Sequence, residues 1–522
     1  MIRHQLNFQG YSMIKPGKKK NSLGQIRFVI ALFILYFSGI TVVYGQKQKI
    51  GAFFNTLYEQ KQFNGSVVVE EKGKVLFHGY LGQSNAGKNG KISSRSQFPI
   101  ASVSKTFTAI AILQLKSKGL LQLDVPVKKY LPDFPYENIT TRHLLSNTSG
   151  LTQYYTLFDQ EIDSNEKILI TNRDIIPVLN KKKVSLVFTP GERWEYNNLN
   201  FCLAALIVEK LSGKTFRDYL NTFIFSPSEM NNTFVPVNRK IKSSDQVELY
   251  SYANLYSTRM KNVDSLPQLF KIDRHSNFYG NGGIVSTAND LIKFNRALQN
   301  GKLLPGKEQI EAFSPTILNN GKAVSYKLDG KEVTYGLGWE MYTDTTHGKI
   351  VFHDGSILGL TSILMYNLSA KQAIVVLDNT GSNTVFAIAN AIIELLGNRT
   401  YVIPGKNLPR EYASAVVQGD TAKANDLINS YQSNPTSFRT SERDFIRAGY
   451  DLLRNNLLTE SLKIFDTTVK LYPDSWNAYD SFGEALLKAG DKIKAQEMYQ
   501  KSLKLNPENK NAAVILQELQ KK

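Results

Sequence analysis

Beyond about residue 408 the chain repeats itself. Leu471-Tyr472-Pro473 returns as Leu505-Asn506-Pro507, and Asn477-Ala478 returns as Asn511-Ala512, a period of 34 in both cases (505 − 471 and 511 − 477). A unit of that length reads as one helical hairpin, which cannot bury its apolar face alone and must stack on its neighbours. Gly419-Asp420 with Ala424 echoes Gly490-Asp491 with Ala495, so an earlier, degenerate unit is expected before these two, and the last fifteen residues read as a capping helix. This all-helical stretch contains no nucleophile and base at a recognisable spacing. Any chemistry must therefore lie upstream.

Upstream, the pattern alternates between strands and helices. Ser66–Glu71 and Lys74–Tyr80 are β-branched and aromatic runs around Lys72-Gly73, a hairpin. Residues Ser102 to Lys118, Phe201 to Leu211 and Asp290 to Leu298 carry helical periodicity, the last after Thr287 as N-cap. Strands follow at Val333–Met341 (broken by Gly336 and Gly338), Ile350–His353, Ser362–Tyr366 and Ala373–Leu377, and a helix at Ala387–Leu396 closes the region. Strands at both ends with helices between them predict an α+β layout with a mainly antiparallel sheet. The expected divisions are 1–45, a targeting segment; 46–400, the mixed domain; 401–440, a linker and degenerate repeat; and 441–522, the repeats with their cap.

Composition removes several functions. The single cysteine, Cys202, excludes a disulfide framework, a zinc finger and an iron–sulfur centre. Six scattered histidines show no ligand spacing, so a histidine-built metal site is not expected. The net charge is +18, of which residues 1–45 supply six positive charges and no negative ones. The remaining excess is spread out and accompanies no nucleic-acid module. In the N-terminal segment, Lys18-Lys19-Lys20 and Arg27 precede an apolar run, Phe28 to Val43, that ends in Val43-Tyr44-Gly45. That is the pattern of a secretory signal peptide, with an uncleaved anchor as the alternative and Met13 as a second candidate start. Either way an exported chain, periplasmic or secreted, is expected, held at a membrane only if the segment stays.

Three motifs could carry chemistry. Ser102-Val103-Ser104-Lys105 is an S-x-x-K at a helix start: residues three apart share a helix face, so Lys105 can reach the Ser102 hydroxyl, and burial would bring its amine towards neutrality. Alone it is a weak signal, since Ser12-Met13-Ile14-Lys15 also fits. Tyr196-Asn197-Asn198 is a Y-x-N after Thr189-Pro190-Gly191-Glu192-Arg193-Trp194; the phenol could relay a proton and the Asn198 amide could bind a substrate carbonyl. Tyr219-Leu220-Asn221, Tyr252-Ala253-Asn254 and Tyr279-Gly280-Asn281 compete with it but lack its lead. His353-Asp354-Gly355-Ser356 ends a strand that could supply a backbone N–H to an oxyanion, with Gly355 leaving room for substrate.

In this order, and each in the appropriate kind of element, the three motifs resemble the serine β-lactamase and penicillin-binding-protein superfamily, most closely its class C and serine-esterase branch. Phe98-Pro99-Ile100-Ala101, Tyr130-Leu131-Pro132, Arg142 to Leu151, Gly280-x-Gly282-Gly283 and Tyr335-Gly336-Leu337-Gly338-Trp339 add to the likeness, which spans about residues 50–397. The repeats, with Tyr479, Gly483, Ala495, Tyr499 and Pro507, resemble tetratricopeptide repeats. The first resemblance implies a β-lactamase/transpeptidase fold: an antiparallel sheet flanked by helices, plus an all-helical subregion. It implies Ser102 as the acylated nucleophile, Lys105 and Tyr196 sharing general acid and base work, Asn198 orienting the substrate, and the N–H groups of Ser102 and Ser356 as the oxyanion hole. Two positions depart from the pattern. His353 stands where β-lactamases and peptidases usually have Lys, which weakens any grip on a substrate carboxylate. Asn147 stands where family members often have His.

The leading expectation is an exported serine hydrolase acting on an ester, amide or peptide of the cell envelope, of esterase, D-amino-acid peptidase or β-lactamase type. The alternative is a hydrolase fold that has lost turnover and binds, its repeats recruiting a protein partner. Intact Ser102, Lys105 and Tyr196 speak against the alternative.

Overall fold

The computed structural model describes residues 45–521 apart from 86, 88, 240, 268 and 269. The expected targeting segment lies outside the described residues, save its last one. The chain divides into residues 1–49 and 50–522, and the second unit is described here. Among the described residues no helix is long and apolar enough to cross a membrane.

Eight strands form one sheet: β1 (Gly65–Glu71), β2 (Lys74–Leu81), β3 (Ser325–Leu328), β4 (Lys331–Tyr335), β5 (Glu340–Asp344), β6 (Gly348–Ile357), β7 (Leu360–Asn367) and β8 (Gln372–Asp378). Their order is β2-β1-β8-β7-β6-β5-β4-β3, antiparallel throughout. The β1–β2 turn needs two residues with positive φ, and Lys72 (φ 50) and Gly73 (φ 79) supply them. The two sheet faces bury different sets of side chains, as a period of two requires. On β1 and β8, Val67, Val69, Ile374 and Val376 pack on one side with Phe53, Phe54 and Leu57 of the helical residues 50–59 and with α4 (Val385–Leu396). On the other side, Val68, Val375 and Leu377 join the larger core built around α1 (Ser104–Ser117), α2 (Asn198–Ser212) and α3 (Ala288–Gln299). Thr287 caps α3 by accepting the Asp290 N–H. The antiparallel α+β architecture with a helical subregion is the one the sequence predicts.

The expected strand over Val333–Met341 is two, β4 and β5, and β7 and β8 run one or two residues beyond their expected ends, but the difference that matters for the site is in β6. The sequence reading ends it at His353, but β6 runs on to Ile357, because its pairing with β7 continues to Ile357 opposite Leu360. His353, Asp354, Gly355 and Ser356 are thus in mid-hairpin rather than in a turn after a strand. On its other edge β6 pairs with β5 only as far as Phe352 opposite Glu340. Beyond Phe352 that edge has no strand beside it.

The C-terminal part consists of α5 (Leu408–Val417), α6 (Thr421–Ser433), α7 (Glu442–Arg454), α8 (Leu458–Leu471), α9 (Trp476–Lys488), α10 (Lys492–Leu505) and α11 (Lys510–Gln520). Its period has a physical origin. A Cβ on Gly449 would lie 2.5 Å from the Phe465 ring, and one on Gly483 would lie 2.9 Å from the Tyr499 ring, so each hairpin closes on a glycine facing an aromatic. The helices dock on the mixed domain through Leu255 and Tyr256, which pack with Leu408, Tyr412 and Phe445, and through Arg410 stacked 4.0 Å from the Tyr252 ring.

Candidate active site

The candidate nucleophile sits on a strained turn. Phe98-Pro99 pairs with Val285-Ser286, and the chain then turns through Ala101–Val103 into α1. Ala101 adopts φ +46, a left-handed conformation that costs a residue with a Cβ about 1–3 kcal/mol. The Ile100 carbonyl accepts the Ser362 hydroxyl of β7 at 2.8 Å, which ties the turn to the sheet. Gly355 of β6 makes that approach possible: a Cβ there would lie 2.6 Å from the Ile100 oxygen and 2.8 Å from the Ser102 nitrogen. The space that Gly355 was expected to leave for substrate is therefore filled by the chain's own nucleophile turn. Ser356 follows, exposed on the strand.

Lys105, one turn on from Ser102 at the start of α1, is fully buried and lies 3.0 Å from Ser102 Oγ, 2.7 Å from Asn198 Oδ1 and 2.7 Å from the Asn281 carbonyl oxygen. Its amine also lies 4.7 Å from the centroid of the Tyr196 ring. Burial pulls its pKa down to about 7, against the opposing pull of Cys202, Asp354 and Glu340. The three partners fix what each protonation state can do. A charged ammonium donates to all three. A neutral amine has two N–H groups for the two carbonyl acceptors and one lone pair, which then faces the Ser102 hydroxyl.

Tyr196 donates its phenol hydrogen to Ser102 Oγ at 2.7 Å. Burial holds this phenol well above its ordinary pKa, so it is a proton donor here rather than a phenolate. The segment around it is braced. Asn197 caps α2 and donates to the Leu151 and Thr152 carbonyls at 2.7 and 3.0 Å. Asn147 Oδ1 accepts from the Asn197 N–H at 3.1 Å and from Asn200 at 3.0 Å. Asn147 thus acts on the tyrosine loop rather than on the serine. The competing tyrosines lie elsewhere: Tyr219 contacts Gln114, Tyr279 contacts Glu209, and Tyr252 lies under Arg410. Asn198 Oδ1 is engaged by Lys105, so a substrate carbonyl could meet only the amide nitrogen.

His353 is near the site but turned inward. It is fully buried, with its ring centroid 6.4 Å from that of Tyr196. Nδ1 lies 2.6 Å from the Asp354 carbonyl oxygen and 3.6 Å from Glu340 Oε1, and Nε2 lies 3.3 Å from the Tyr335 hydroxyl. Burial pushes its pKa down to about 3, with Lys105 adding to the effect, so it is neutral at any ordinary pH. Both ring nitrogens already have protein partners, so in this position the ring has no hydrogen bond to spare for a substrate. Behind it, Tyr326 donates to Glu340 Oε2 at 2.7 Å and stacks on Trp194 with centroids 4.6 Å apart.

Glu340 and Asp354 were not singled out by the sequence reading, because only the register of β5 and β6 brings them together. Glu340, His353 and Asp354 each place one potential ligand atom within 4.8 Å of the others, the group among the described residues that could hold a metal ion. The donor set argues otherwise. Nδ1–H donates to the Asp354 carbonyl and Nε2 accepts from Tyr335, so the imidazole presents no lone pair to the carboxyls.

A serine between a buried lysine and a tyrosine, against the edge of an antiparallel sheet, is the arrangement of a serine hydrolase. Residues 50–398 match the family described as Beta-lactamase, and the chain belongs to that serine β-lactamase and penicillin-binding-protein-like family. Penicillin-binding protein 4* of Bacillus subtilis (strain 168) is 32% identical over 391 residues, 74% of this chain and 83% of its own. Putative penicillin-binding protein PbpX of the same organism is 27% identical over 349 residues, 64% of this chain and 75% of its own. A penicillin-binding protein from Bacillus halodurans superposes with a TM-score of 0.55 at 26% identity, covering 65% of this chain and 98% of its own. A D-amino acid amidase from Ochrobactrum anthropi shares the fold at a TM-score of 0.53 and 22% identity, covering 69% of this chain and 98% of its own.

Proposed function

We propose that this protein is an exported serine hydrolase that is acylated at Ser102 and hydrolyses an ester, amide or peptide. The observation that carries the reading is the placement of Ser102 Oγ 3.0 Å from a lysine amine and 2.7 Å from a phenol, with that lysine buried among neutral partners. Neutral Lys105 takes the serine proton as Oγ attacks the substrate carbonyl. The oxyanion is held by the N–H groups of Ser102 and Ser356, the latter beyond Phe352, where one edge of β6 has no strand beside it. Tyr196 passes a proton to the leaving group and is reprotonated from Lys105. Water then attacks the acyl-enzyme with the same groups acting in reverse. No step uses a cofactor.

Export is supported by the basic and apolar N-terminal pattern, and an envelope substrate follows from it. The C-terminal helices, tetratricopeptide-like in period, are assigned to partner binding or to packaging the hydrolase, since no nucleophile and base converge there. A neutral His353 favours uncharged esters over carboxylate-bearing β-lactams. The test is a screen of acyl esters, D-amino-acid peptides and nitrocefin with the wild type and Ser102→Ala. Turnover of at least one class, lost below about one percent in Ser102→Ala, is expected. Turnover that survives the substitution would remove Ser102 from the mechanism.

A further inference from the structure

Behind the nucleophile turn lies a cation that no acid balances. A Cβ on Gly282 would lie 3.7 Å from the Ala101 carbonyl oxygen on one side and 3.9 Å from Arg239 Nη2 on the other. Arg239 is half-buried and lines a cavity of about 80 Å³ together with Arg217, Glu209, Thr215, Asn277 and Tyr279. Its Nη2 donates to the Phe278 carbonyl, and among the described residues no Asp or Glu forms an ion pair with it or with Arg217. The groups whose charge bears on Arg239 are the Cys202 thiol and the Tyr154 phenol, and burial keeps both protonated, so neither supplies an anion. Arg217 donates through Nε to the Val235 carbonyl at 2.7 Å, and among the described residues its terminal nitrogens have no protein partner. The other polar side chains of the cavity are engaged. Tyr279 donates to Glu209 Oε2 at 3.0 Å, and Glu209 Oε1 accepts the Phe216 N–H at 2.9 Å. Asn277 donates to the Val237 carbonyl at 2.8 Å, and Thr215 donates to Asp218 at 2.7 Å. The cavity therefore sets two guanidinium groups with spare donors against one carboxylate that already has two.

We propose that this cavity is a second ligand site, separate from Ser102, and that Arg217 and Arg239 bind a phosphate group there. A guanidinium stays charged at any ordinary pH, so it cannot escape the cost of leaving water by losing its proton. An anion offsets that cost, and a neutral ligand does not. Each guanidinium presents its donors as a flat fork that matches the oxygens of a phosphate or a carboxylate. One fork is enough for a planar carboxylate. Two forks from separate segments of chain suit a tetrahedral phosphate, whose oxygens point in several directions. A single water needs roughly 10–15 Å³ of such space, so the cavity admits a group of several non-hydrogen atoms. The site also backs onto the candidate base. The Asn281 carbonyl accepts from Lys105 at 2.7 Å. Two residues on, Gly283 (φ 86) lets Arg239 lie against the backbone, where a Cβ would come within 2.5 Å of Nη2 and 3.0 Å of Nε. A phosphate held by Arg239 thus bears on the segment that orients Lys105.

The experiment is equilibrium dialysis of the full chain against radiolabelled inorganic phosphate at pH 8, with ionic strength held constant by chloride and with acetate and glycerol 3-phosphate as competitors. We expect one phosphate per chain, displaced by unlabelled phosphate and not by acetate at the same concentration. Glycerol 3-phosphate that competes at least as well as phosphate assigns the site to phosphate esters, and weaker competition assigns it to the free ion. Arg239→Gln and Arg217→Gln, each checked by thermal melting, should weaken binding at least about tenfold. Ser102→Ala should bind as the wild type does. The absence of saturable binding below about 10 mM phosphate overturns the proposal, as does displacement by acetate as effective as by phosphate. So does binding unchanged in a folded arginine variant; if Arg239→Gln does not fold, Arg217→Gln decides. Binding lost in Ser102→Ala, or after fluorophosphonate labelling of Ser102, places the phosphate in the catalytic site and overturns the proposal too.

Discussion

A base that must be neutral to work leaves a signature in the pH profile. Lys105 is the only candidate for that base beside Ser102 among the described residues, and burial sets its pKa at about 7. The groups facing it are Tyr196, Cys202, His353, Asp354 and Glu340; the phenol and thiol stay protonated and the imidazole stays neutral through the working range. The sign follows directly: the ammonium form is inactive, so acylation rises with pH and levels off once the lysine has lost its proton. For one ionisation near 7, kcat/KM at pH 6 is about one tenth of its plateau, and at pH 8 about nine tenths; an ordinary lysine near 10.4 would be only about 0.4% neutral at pH 8. The assay is hydrolysis of p-nitrophenyl butyrate, which does not titrate, from pH 5 to 9.5 at constant ionic strength, with Ser102→Ala as background. Asp354 helps to keep the proton on Lys105, so Asp354→Asn should move the inflection down. A profile that still climbs tenfold per unit above pH 9 would refute the reasoning, because the lysine would then be no more acidic than in water.

Three further outcomes follow from named contacts. Tyr196→Phe deletes the hydroxyl 2.7 Å from Ser102 and should lower kcat by about a hundredfold or more, and Lys105→Ala combined with it should cost little beyond the worse single variant; losses that multiply would show two independent roles. Gly355→Ala places a methyl 2.6 Å from the Ile100 oxygen and 2.8 Å from the Ser102 nitrogen, so it should destabilise the fold by about 1–3 kcal/mol in urea unfolding and cut kcat/KM by about a hundredfold through a displaced nucleophile. A chain ending near Leu408 uncovers Leu255 and Tyr256 and should melt a few degrees lower yet hydrolyse a small ester; a folded but inactive truncation would mean that the helices complete the site.

How much of this was legible in the sequence varied with the range of the interactions. Local signals carried well: Lys72-Gly73 marked a two-residue turn, Thr287 marked a helix start, and the spacing of Ser102 and Lys105 placed them one helical turn apart. The Pro-Gly-x-x-Trp lead separated Tyr196 from its rivals, and the 34-residue period marked the glycine–aromatic contacts of the C-terminal hairpins. Pairing across the sheet was not legible. The extension of β6 to Ile357 depends on β7, and the meeting of Glu340 with Asp354 depends on where β5 starts. The Asn281 carbonyl on Lys105 is a backbone group 176 positions away, which no side-chain pattern announces. His353 reads as an open-site residue by its motif, and only the surrounding Tyr335 and Glu340 show that it faces inward.

The central claim, that Ser102 is the atom that takes the acyl group, is tested most directly by trapping. The full chain is incubated with a fluorophosphonate probe at pH 8, digested and mapped by mass spectrometry. The account predicts one stoichiometric adduct on the peptide containing Ser102, lost in Ser102→Ala and strongly slowed in Lys105→Ala. A modification elsewhere, or a folded protein that stays unlabelled, would contradict it.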